Sequence, residues 1–430
     1  MPRPSGPEVP AARLTFPAGV GRRPAAEELD LSGLAGLHGA PGSAAWWETV
    51  AAVGTPLWSP DGLAGTGGRP TGVPTLVFLH RDGTDAGVYL DLVGLTDRSD
   101  TAVGIMRRLP GTDVRVAAFG VEPGFVGSYG FVPFHGGLRA PAARDTPEAR
   151  RWWLGVLAGS GPDPLARARQ VIAKGRLRRS VATAPPRGGG AAPAEAVPAA
   201  FVWDRPDGVR QPAWLHVPAA PGPAEVGLLV LFDGRMWAEQ LAVGTVLDAL
   251  HADGSVPATA AVLLDSIDPA RREADLADHP EFLDLLADDL LPRLVAPALA
   301  RQGLVLSADP ARTVVAGQSY GGLAAFRAVA RRPDRFGASI SQSGSFWWPS
   351  HEEPAAREVP AWLRTAPPRS GRTVIQVGRY EGSMTDASRQ VADLVRERGE
   401  HLVHTEVPGG HDWAWWSDRL GAALVAALRG

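Results

Sequence analysis

The sequence of 430 residues contains no cysteine. Disulfide bonds, thiolate nucleophiles and cysteine-ligated metal sites are therefore excluded. The absence of cysteine fits a reducing compartment, and the N-terminus has no apolar core of signal-peptide length, so we expect a cytoplasmic protein. No window approaches a run of about 18 uncharged apolar residues, and no transmembrane helix is predicted.

Lysine is nearly absent as well, since Lys174 is its one occurrence among 43 basic residues. The net charge of −3 gives no sign of a nucleic-acid or membrane partner. Hydrophobic residues make up 45% of the chain and charged residues 21%, which is typical of a globular protein. Because arginine supplies almost all the positive charge, a single arginine says little about function.

Local composition and hydrophobic patterning divide the sequence into four segments. Residues 1–28 are rich in Pro, Gly, Ala and Arg, and we expect a mobile tail. Residues 29–183 contain short strand runs separated by Gly, Pro and Asp turns, which predict an immunoglobulin-like β-sandwich domain. Residues 184–199 form a Gly/Pro/Ala linker. In residues 200–430 strands alternate with long helices, which predicts an α/β-hydrolase catalytic domain with a mostly parallel sheet, so the fold class is α/β.

The predicted elements of both domains follow from short apolar runs and helical periodicity. Those of the first domain are strands Thr75–Leu79, Val88–Leu92, Val114–Phe119 and Ser128–Val132, a short helix over Ala44–Val53 and a helix over 146–157. Those of the second are strands Val226–Phe232, Ala260–Leu264, Thr313–Ala316, Ala338–Gln342, Thr373–Val377 and Leu402–Val407 and helices Phe282–Ala300, Asp386–Arg398 and Asp418–Leu428.

One pentapeptide, Gly317-Gln318-Ser319-Tyr320-Gly321, stands between a predicted strand and a predicted helix. G-x-S-x-G in that context is the nucleophile elbow of an α/β-hydrolase. The turn is so tight that flanking positions must lack bulk, and the Ser319 hydroxyl projects above the sheet edge. The N–H of Tyr320 at the helix start can face a developing oxyanion. The alternative is a glycine-rich turn that only packs a helix on a strand.

A serine nucleophile needs a base, and the base needs an orienting acid. His411 follows the last strand, where two glycines let the backbone bend back toward Ser319, and it is the predicted base. Glu381, after the preceding strand, is the first choice as acid. Asp386 is the second choice, although it also suits a helix N-cap. Asp412 is too close to His411 in sequence to be the expected orienter.

A second oxyanion donor is expected after the first strand of the α/β core. The N–H of Gly234 or of Arg235 is the candidate, paired with that of Tyr320. Asp233 beside them suits the nucleophile of an aspartyl-type hydrolase, which the intact Ser319 elbow makes the weaker interpretation.

Cationic and aromatic residues collect around the expected mouth of the site. Cationic guanidinium planes beside aromatic ring faces suit a substrate that is both anionic and aromatic. The alternatives are solvated surface charge for the arginines and core packing for the tryptophans. The set is Arg235, Arg271, Arg272, Arg379, Trp237, Trp347, Trp348, Trp413, Trp415 and Trp416.

With these residues in hand, the chain resembles the enterochelin (enterobactin) esterases, a family of ferric siderophore trilactone hydrolases. The resemblance covers nearly the whole chain after residue 45. Its C-terminal motifs are Leu231–Gly234, Leu264–Asp268, Arg272–Leu276, Asp289–Pro292, Ala316–Gly322, Ser341–Trp348 and Gly409–Trp413. Its N-terminal motifs are Gly94–Asp97, Leu109–Asp113, Gly127–Pro133 and Asp163–Leu165. Asp275 stands where the family pattern leads us to expect Glu.

The resemblance implies hydrolysis of the serine-lactone esters of a ferric tris-catecholate in the cytoplasm, which releases iron. It implies Ser319 as nucleophile, His411 as base and Glu381 as acid, although some relatives manage with a dyad. Arg272 matches a position associated with holding the substrate, and Trp237, Trp347, Trp348 and Trp413 are further expected substrate residues. No cofactor or protein metal site is expected, because the iron belongs to the small-molecule siderophore.

Two other functions stay open from the sequence. One is a general carboxylesterase or acyltransferase of the esterase-D-like group. The other is a non-enzymatic protein that binds carbohydrate or siderophore through the sandwich and carries a decayed hydrolase half. The intact Ser319 elbow and His411 argue against the second.

Overall fold

The computed structural model describes residues 20–21, 31, 34, 36–63, 70–84, 86–97, 100–141, 146–166, 171–172, 178–187, 198–218, 225–351 and 353–429. Most of the predicted tail (1–28) and most of the predicted linker (184–199) lie outside these residues. Among the described residues, one compact unit contains 198–406 and 416–429, and the other contains 20–187 and 407–415. We call them the hydrolase unit and the sandwich unit.

Eight strands form two antiparallel sheets in the described part of the sandwich unit. They are β1 Leu57–Ser59, β2 Thr75–Arg81, β3 Gly87–Leu92, β4 Arg107–Arg108, β5 Val114–Gly120, β6 Val126–Phe134, β7 Val171–Ile172 and β8 Arg178–Thr183. The sheet orders are β1-β2-β5-β4 and β3-β6-β8-β7. Phe78 of one sheet meets Tyr129 of the other edge to face, with ring centroids 4.9 Å apart. The predicted β-sandwich is confirmed.

Two helices cover the outer faces of these sheets. Helix α1 (Ala44–Val53) begins after Ser43, whose hydroxyl accepts a hydrogen bond from the Trp46 N–H. Trp46 joins the apolar cluster formed by β2 and β5. Helix α2 (Pro147–Ala158) places Trp153 against Tyr89 of β3, with ring centroids 5.6 Å apart. Each of the two sheets can therefore bury side chains on both of its faces.

A single sheet organises the hydrolase unit. Its strands are β9 Ala199–Asp204, β10 Arg210–His216, β11 Glu225–Phe232, β12 Thr259–Leu264, β13 Val305–Leu306, β14 Thr313–Gln318, β15 Ala338–Gln342, β16 Arg372–Gly378 and β17 Leu402–Val407. The order is β17-β16-β15-β14-β11-β12-β10-β9, and β13 pairs with β11. The pairs from β12 through β11, β14 and β15 to β16 are parallel. Only the β9–β10–β12 edge is antiparallel among the pairings whose register is defined in the described residues. The predicted mostly parallel sheet is confirmed.

Burial explains why the central strands are continuous apolar runs. Val226 to Phe232 of β11 and all of β12 are buried, because helices cover both faces of the sheet. The helices are α3 Gly234–Glu239, α4 Val243–Ala252, α5 Pro269–Glu273, α6 Phe282–Leu285, α7 Ala296–Ala300, α8 Tyr320–Arg331, α9 Glu358–Leu363, α10 Ser383–Glu397 and α11 Trp413–Arg429. Within the described ranges, no helix is both long enough and apolar enough to cross a bilayer.

The predicted helix Phe282–Ala300 is present with a change of winding. Its central part, Leu286–Val295, is a π-type segment that joins α6 to α7 and contains Pro292. Proline has no N–H to donate and its ring crowds the preceding turn, and wider winding relieves both.

Candidate active site

Ser319 lies at the junction of β14 and α8 with φ 58° and ψ −119°. A residue with a β-carbon adopts this left-handed conformation only at a cost, so neighbouring contacts must hold it. The Ser319 N–H donates to the carbonyl of Gln342 at 3.0 Å, and the Ser345 N–H donates to the carbonyl of Ser319 at 3.0 Å. Ser319 is half-buried, whereas Gln318 before it is fully buried. The backbone conformation therefore places the Ser319 hydroxyl at the edge of a core that is otherwise buried.

The glycines around Ser319 are required by close backbone approach. A β-carbon on Gly317 would lie 2.5 Å from the carbonyl carbon of Gly321. One on Gly322 would lie 2.9 Å from the Cα of Gly344 in the neighbouring loop. These distances confirm the predicted tight turn, and the role of Ser319 as nucleophile stays a prediction.

Tyr320 is the first residue of α8, so its N–H has no acceptor within the helix and lies at the positive end of the helix dipole. Its side chain brings two predicted substrate residues beside the elbow. The Tyr320 ring centroid is 5.9 Å from that of Trp347 and 5.6 Å from that of Trp348. Both tryptophans are half-buried, so each keeps surface for a ligand. Burial raises the pKa of the Tyr320 phenol, which keeps this wall neutral.

Arg272 also supports the elbow. Its Nε and Nη2 donate to the two oxygens of Asp233 at 2.7 and 2.6 Å, and Nη2 also donates to the carbonyl of Gln318 at 3.0 Å. The remaining nitrogen, Nη1, has no hydrogen-bond partner among the described residues. Arg272 can therefore support the turn and still offer the two N–H groups of Nη1 to an anion.

Asp233 is fully engaged by side-chain donors. Besides the fork from Arg272 it accepts a hydrogen bond from the Ser266 hydroxyl at 2.5 Å. A carboxylate in such a bidentate pair is a poor free nucleophile. This arrangement gives the aspartyl-type alternative no support and assigns Asp233 a structural role.

The second predicted oxyanion donor lies in the turn from β11 into α3. Asp233 has φ 57°, and Gly234, the first residue of α3, is buried. A β-carbon on Gly234 would lie 2.4 Å from the carbonyl carbon of Leu263, so only glycine fits. The Arg235 side chain is 55% exposed and pairs with Asp265 at 2.8 Å. Its backbone N–H stays with that of Gly234 as a candidate.

Trp237 lies in the core and not at the expected mouth. It is 1% exposed, and its indole N–H donates to the side-chain oxygen of Gln318 at 3.2 Å. This burial leaves no surface for a bound molecule, so the predicted substrate role of Trp237 is wrong and its indole instead supports the residue before Ser319. Trp415 and Trp416 are also buried, at 0% and 4% exposure, as core packing requires.

Three glutamine side chains form a buried row across the ends of β14, β15 and β16. Gln318 donates to Gln342 at 2.9 Å, and Gln342 donates to Gln376 at 2.9 Å. Parallel register makes them neighbours, since Gln318 opposes Gln342 and Gln342 opposes Gln376. Sequence reasoning missed this row. Its signal was a glutamine near the carboxyl end of three successive apolar strands.

Glu381 follows β16 and is held by specific donors. Its Oε1 accepts hydrogen bonds from the Ser343 hydroxyl and from the Gly378 N–H, both at 2.7 Å. The Ser343 oxygen in turn accepts from the indole N–H of Trp416 at 2.9 Å. Sequence reasoning indicated no role for Ser343. In the structure its hydroxyl holds the carboxylate of Glu381, the predicted acid, in place.

The second-choice acid has a different setting. Asp386 lies in the first turn of α10, whose N-cap is Gly382, so the expected capping role is wrong. Its side chain is 73% exposed and pairs with Arg389 at 3.4 Å. Arg389 also forms a bidentate pair with Glu406, at 2.6 and 2.8 Å. A solvated carboxylate at this distance from its partner is less suited to orient an imidazole than Glu381 is.

His411 lies in residues 408–412, between β17 and α11, as expected for the base. It is exposed, while Gly410 and Asp412 on either side are buried. Trp413, the first residue of α11, is half-buried. All four of these residues belong to the sandwich unit. The role of His411 as base and that of Trp413 in substrate binding stay predictions.

The other arginines expected at the mouth carry internal ion pairs. Arg271 pairs with Asp275 at 2.7 Å and Asp207 at 2.9 Å. Arg379 lies 3.7 Å from Glu406. Their charge is thus largely balanced within the protein.

Comparisons with known proteins agree with this architecture. The family model described as putative esterase matches residues 208–427, and the model for the N-terminal domain of enterochelin esterase matches residues 75–196. The ferric enterobactin esterase of Salmonella typhimurium aligns with a TM-score of 0.76 and 28% identity over 90% of this chain and 99% of the other.

Curated relatives point the same way. The chain is 32% identical over 414 residues to an iron(III) enterobactin esterase of Dickeya dadantii, which covers 88% of this chain and 91% of the relative. It is 29% identical over 355 residues to an iron(III) salmochelin esterase of Escherichia coli, with 78% and 82% covered. The chain belongs to the enterochelin (enterobactin) esterase family and is a carboxylic ester hydrolase.

Proposed function

We propose that this protein is a serine esterase that hydrolyses the serine-lactone bonds of a ferric tris-catecholate siderophore of the enterobactin type. The observation that carries the proposal is the strained, half-buried Ser319 at a glycine-flanked elbow in a chain of this family. A hydroxyl held in that conformation is the usual geometry of an acyl-transfer nucleophile.

The proposed cycle is acyl transfer in two halves. His411 takes the proton of the Ser319 hydroxyl while its oxygen attacks a lactone carbonyl. The N–H of Tyr320, with that of Gly234 or Arg235, stabilises the oxyanion. As the intermediate collapses, His411 gives the proton to the leaving seryl oxygen. Water, deprotonated by His411, then attacks the acyl carbonyl. As the bond to Ser319 breaks, His411 gives that proton to the Ser319 oxygen and the carboxylic acid product leaves.

Glu381 is the proposed acid that orients His411 and stabilises its imidazolium form. Support comes from the two hydrogen bonds that hold its carboxylate beside Ser343 and Gly378. The alternatives are Asp386 and a Ser319–His411 dyad. Replacing Glu381 by Gln while measuring kcat tests the assignment, because with either alternative the variant loses little activity.

A tris-catecholate complex of ferric iron is trianionic and aromatic, and the groups beside the elbow suit both properties. Trp347 and Trp348 offer half-exposed ring faces, and Nη1 of Arg272 offers a charged donor. The Trp347 ring also stacks on His351 at 3.6 Å, which fixes its plane. We propose Trp347, Trp348 and Arg272 as substrate residues. Trp413 is the fourth.

Iron enters this proposal only as part of the substrate, and the catalytic steps use protein groups alone. We place the reaction in the cytoplasm, because a chain without cysteine forms no disulfide bonds and fits a reducing compartment. Fractionation of the producing cell, with antibody detection of the protein, tests that placement.

The decisive experiment incubates the purified protein with ferric enterobactin and with its iron-free form. Linear and monomeric 2,3-dihydroxybenzoyl-serine products, absent with Ser319→Ala, are expected by liquid chromatography. Turnover of simple acyl esters with no product from either siderophore form would instead indicate a general carboxylesterase.

A further inference from the structure

The segment that carries His411 is packed onto the sandwich. The carbonyl of Pro408 accepts a hydrogen bond from the Val126 N–H of β6 at 3.0 Å. A β-carbon on Gly410 would lie 2.7 Å from the Cα of Gly94, so backbone meets backbone there. The chain just before His411 therefore rests directly on the strand β6 and on the turn after β3.

The residue just after His411 is tied to the same strand. Asp412 is 6% exposed, and its Oδ2 accepts a hydrogen bond from the backbone N–H of Ser128. Its Oδ1 accepts from the Ser128 hydroxyl at 3.0 Å and from the Ala414 N–H at 3.2 Å. Burial raises the pKa of Asp412, and these donors together with Arg179 counteract that rise.

Ser128 is in turn held by a buried ion pair within the sandwich. Arg179 donates through Nε to the Ser128 hydroxyl at 3.1 Å and through Nη1 to Asp91 at 2.5 Å. Arg179 and Asp91 are each 2% exposed. We call Asp91, Ser128, Arg179 and Asp412 the anchor network. It links three strands of the sandwich, β3, β6 and β8, to the residue that follows the predicted base.

We propose that the anchor network positions the imidazole of His411 for proton transfer. This inference rests on the proposed function, in which His411 is the base. Two glycines, which are conformationally permissive, precede His411. The contacts of Pro408, Gly410 and Asp412 restrict the backbone on both sides of it. Ser128 and Asp412 are thus positioning residues.

Two variants test the proposal at a temperature where all the proteins are folded. Asp412→Asn keeps the shape of the side chain but cannot accept all three hydrogen bonds. Ser128→Ala removes the hydroxyl and keeps the backbone donor. Each is expected to lower kcat by about 10- to 100-fold with KM nearly unchanged, since a displacement of the base of order 1 Å has this effect. The assay is hydrolysis of 4-nitrophenyl acetate, together with the rate of fluorophosphonate labelling of Ser319.

The matched control is Tyr129→Phe, the next residue of β6. It removes a buried hydrogen bond from the Tyr129 hydroxyl to Asp163, which is 2.9 Å long and involves no residue of 407–415. Its thermal midpoint is expected to fall while kcat stays within about twofold. Unchanged kcat in either test variant, or an equal loss in Tyr129→Phe, overturns the proposal.

The choice of a small aryl ester separates this test from that of the substrate. An active wild-type protein that yields no siderophore product would refute the proposed substrate and leave the positioning test intact. A wild-type protein that neither cleaves the aryl ester nor reacts with the fluorophosphonate would overturn the role of His411 and the positioning proposal together.

Discussion

Arg272 donates a hydrogen bond of 3.0 Å to the backbone carbonyl of Gln318, the residue immediately before Ser319. The same guanidinium is fixed by the two oxygens of Asp233. An arginine that family resemblance associates with the substrate is therefore also part of the support beneath the nucleophile. Substitution should distinguish the two roles.

Arg272→Ala is expected to lower kcat on a simple aryl ester by about 10-fold or more, because the carbonyl of the elbow and the Asp233 carboxylate both lose their partner. Arg272→Lys should restore charge without the bidentate fork, and thus only part of the activity. Steady-state kinetics check both. Arg331→Ala, which removes an exposed pair with Asp284, is the control with unchanged kinetics. An effect confined to KM for the siderophore ester would make Arg272 a substrate residue alone.

Replacement of Ser319 separates chemistry from strain. Ser319→Ala and Ser319→Gly should each lose about 1,000-fold or more in kcat/KM. Glycine tolerates φ 58°, so the glycine variant should be more stable than the alanine variant by about 1 kcal/mol after its larger unfolded-state entropy is included. Urea denaturation of the two proteins measures the difference. Equal midpoints would argue that the elbow stores no strain.

Gly317→Ala should prevent the elbow from closing. Its new methyl group would meet the backbone of Gly321, which cannot withdraw as a flexible side chain could. We expect a loss of about 3 kcal/mol or more, or an insoluble product. Gly155→Ala is the control, since Gly155 of α2 has nothing within 4 Å of an added β-carbon. That variant should gain about 1 kcal/mol, and comparable melting of the two would contradict the steric argument.

Acidification should destabilise the protein partly through His404 of β17. Burial lowers the pKa of His404 below 6.5, although Glu406 acts in the opposite direction. Its buried Nε2 has no hydrogen-bond partner among the described residues, so a proton there gains no acceptor. The unfolded chain then binds the proton more tightly than the folded one does. The stability from neutral His404 is complete above about pH 6.5 and is lost as the pH falls toward the lowered pKa.

His404→Gln removes this contribution. Chemical denaturation at about pH 7 and about pH 5 should show a smaller loss of unfolding free energy in the variant than in the wild type. Other buried groups titrate equally in both proteins, so the difference isolates His404. An identical loss in both would show that His404 titrates normally.

Removal of metal should leave the chemistry intact, because the proposed steps use Ser319, His411 and backbone N–H groups. Prolonged treatment with EDTA followed by desalting is expected to keep hydrolysis of 4-nitrophenyl acetate within about twofold of the untreated rate. Activity that disappears and returns with an added divalent cation would require a metal-assisted route instead.

The sequence by itself determined the strongly periodic parts of this protein. Gly317-Gln318-Ser319-Tyr320-Gly321 determined its own turn, because the tightest steric contact, between Gly317 and the backbone of Gly321, is local and only glycine fits it. The apolar runs of β11, β12 and β14 predicted buried parallel strands, because a strand that is buried on both faces does not alternate apolar with polar residues.

Tertiary structure alone decided which distant side chains meet. Gln318, Gln342 and Gln376 become neighbours only through parallel register, and Trp237 turns inward because Gln318 accepts its N–H. Ser128 and Asp412 are 284 positions apart, and no local pattern announces their hydrogen bond. Such pairings depend on how strands and loops are brought together in space, and a linear pattern carries no direct record of that.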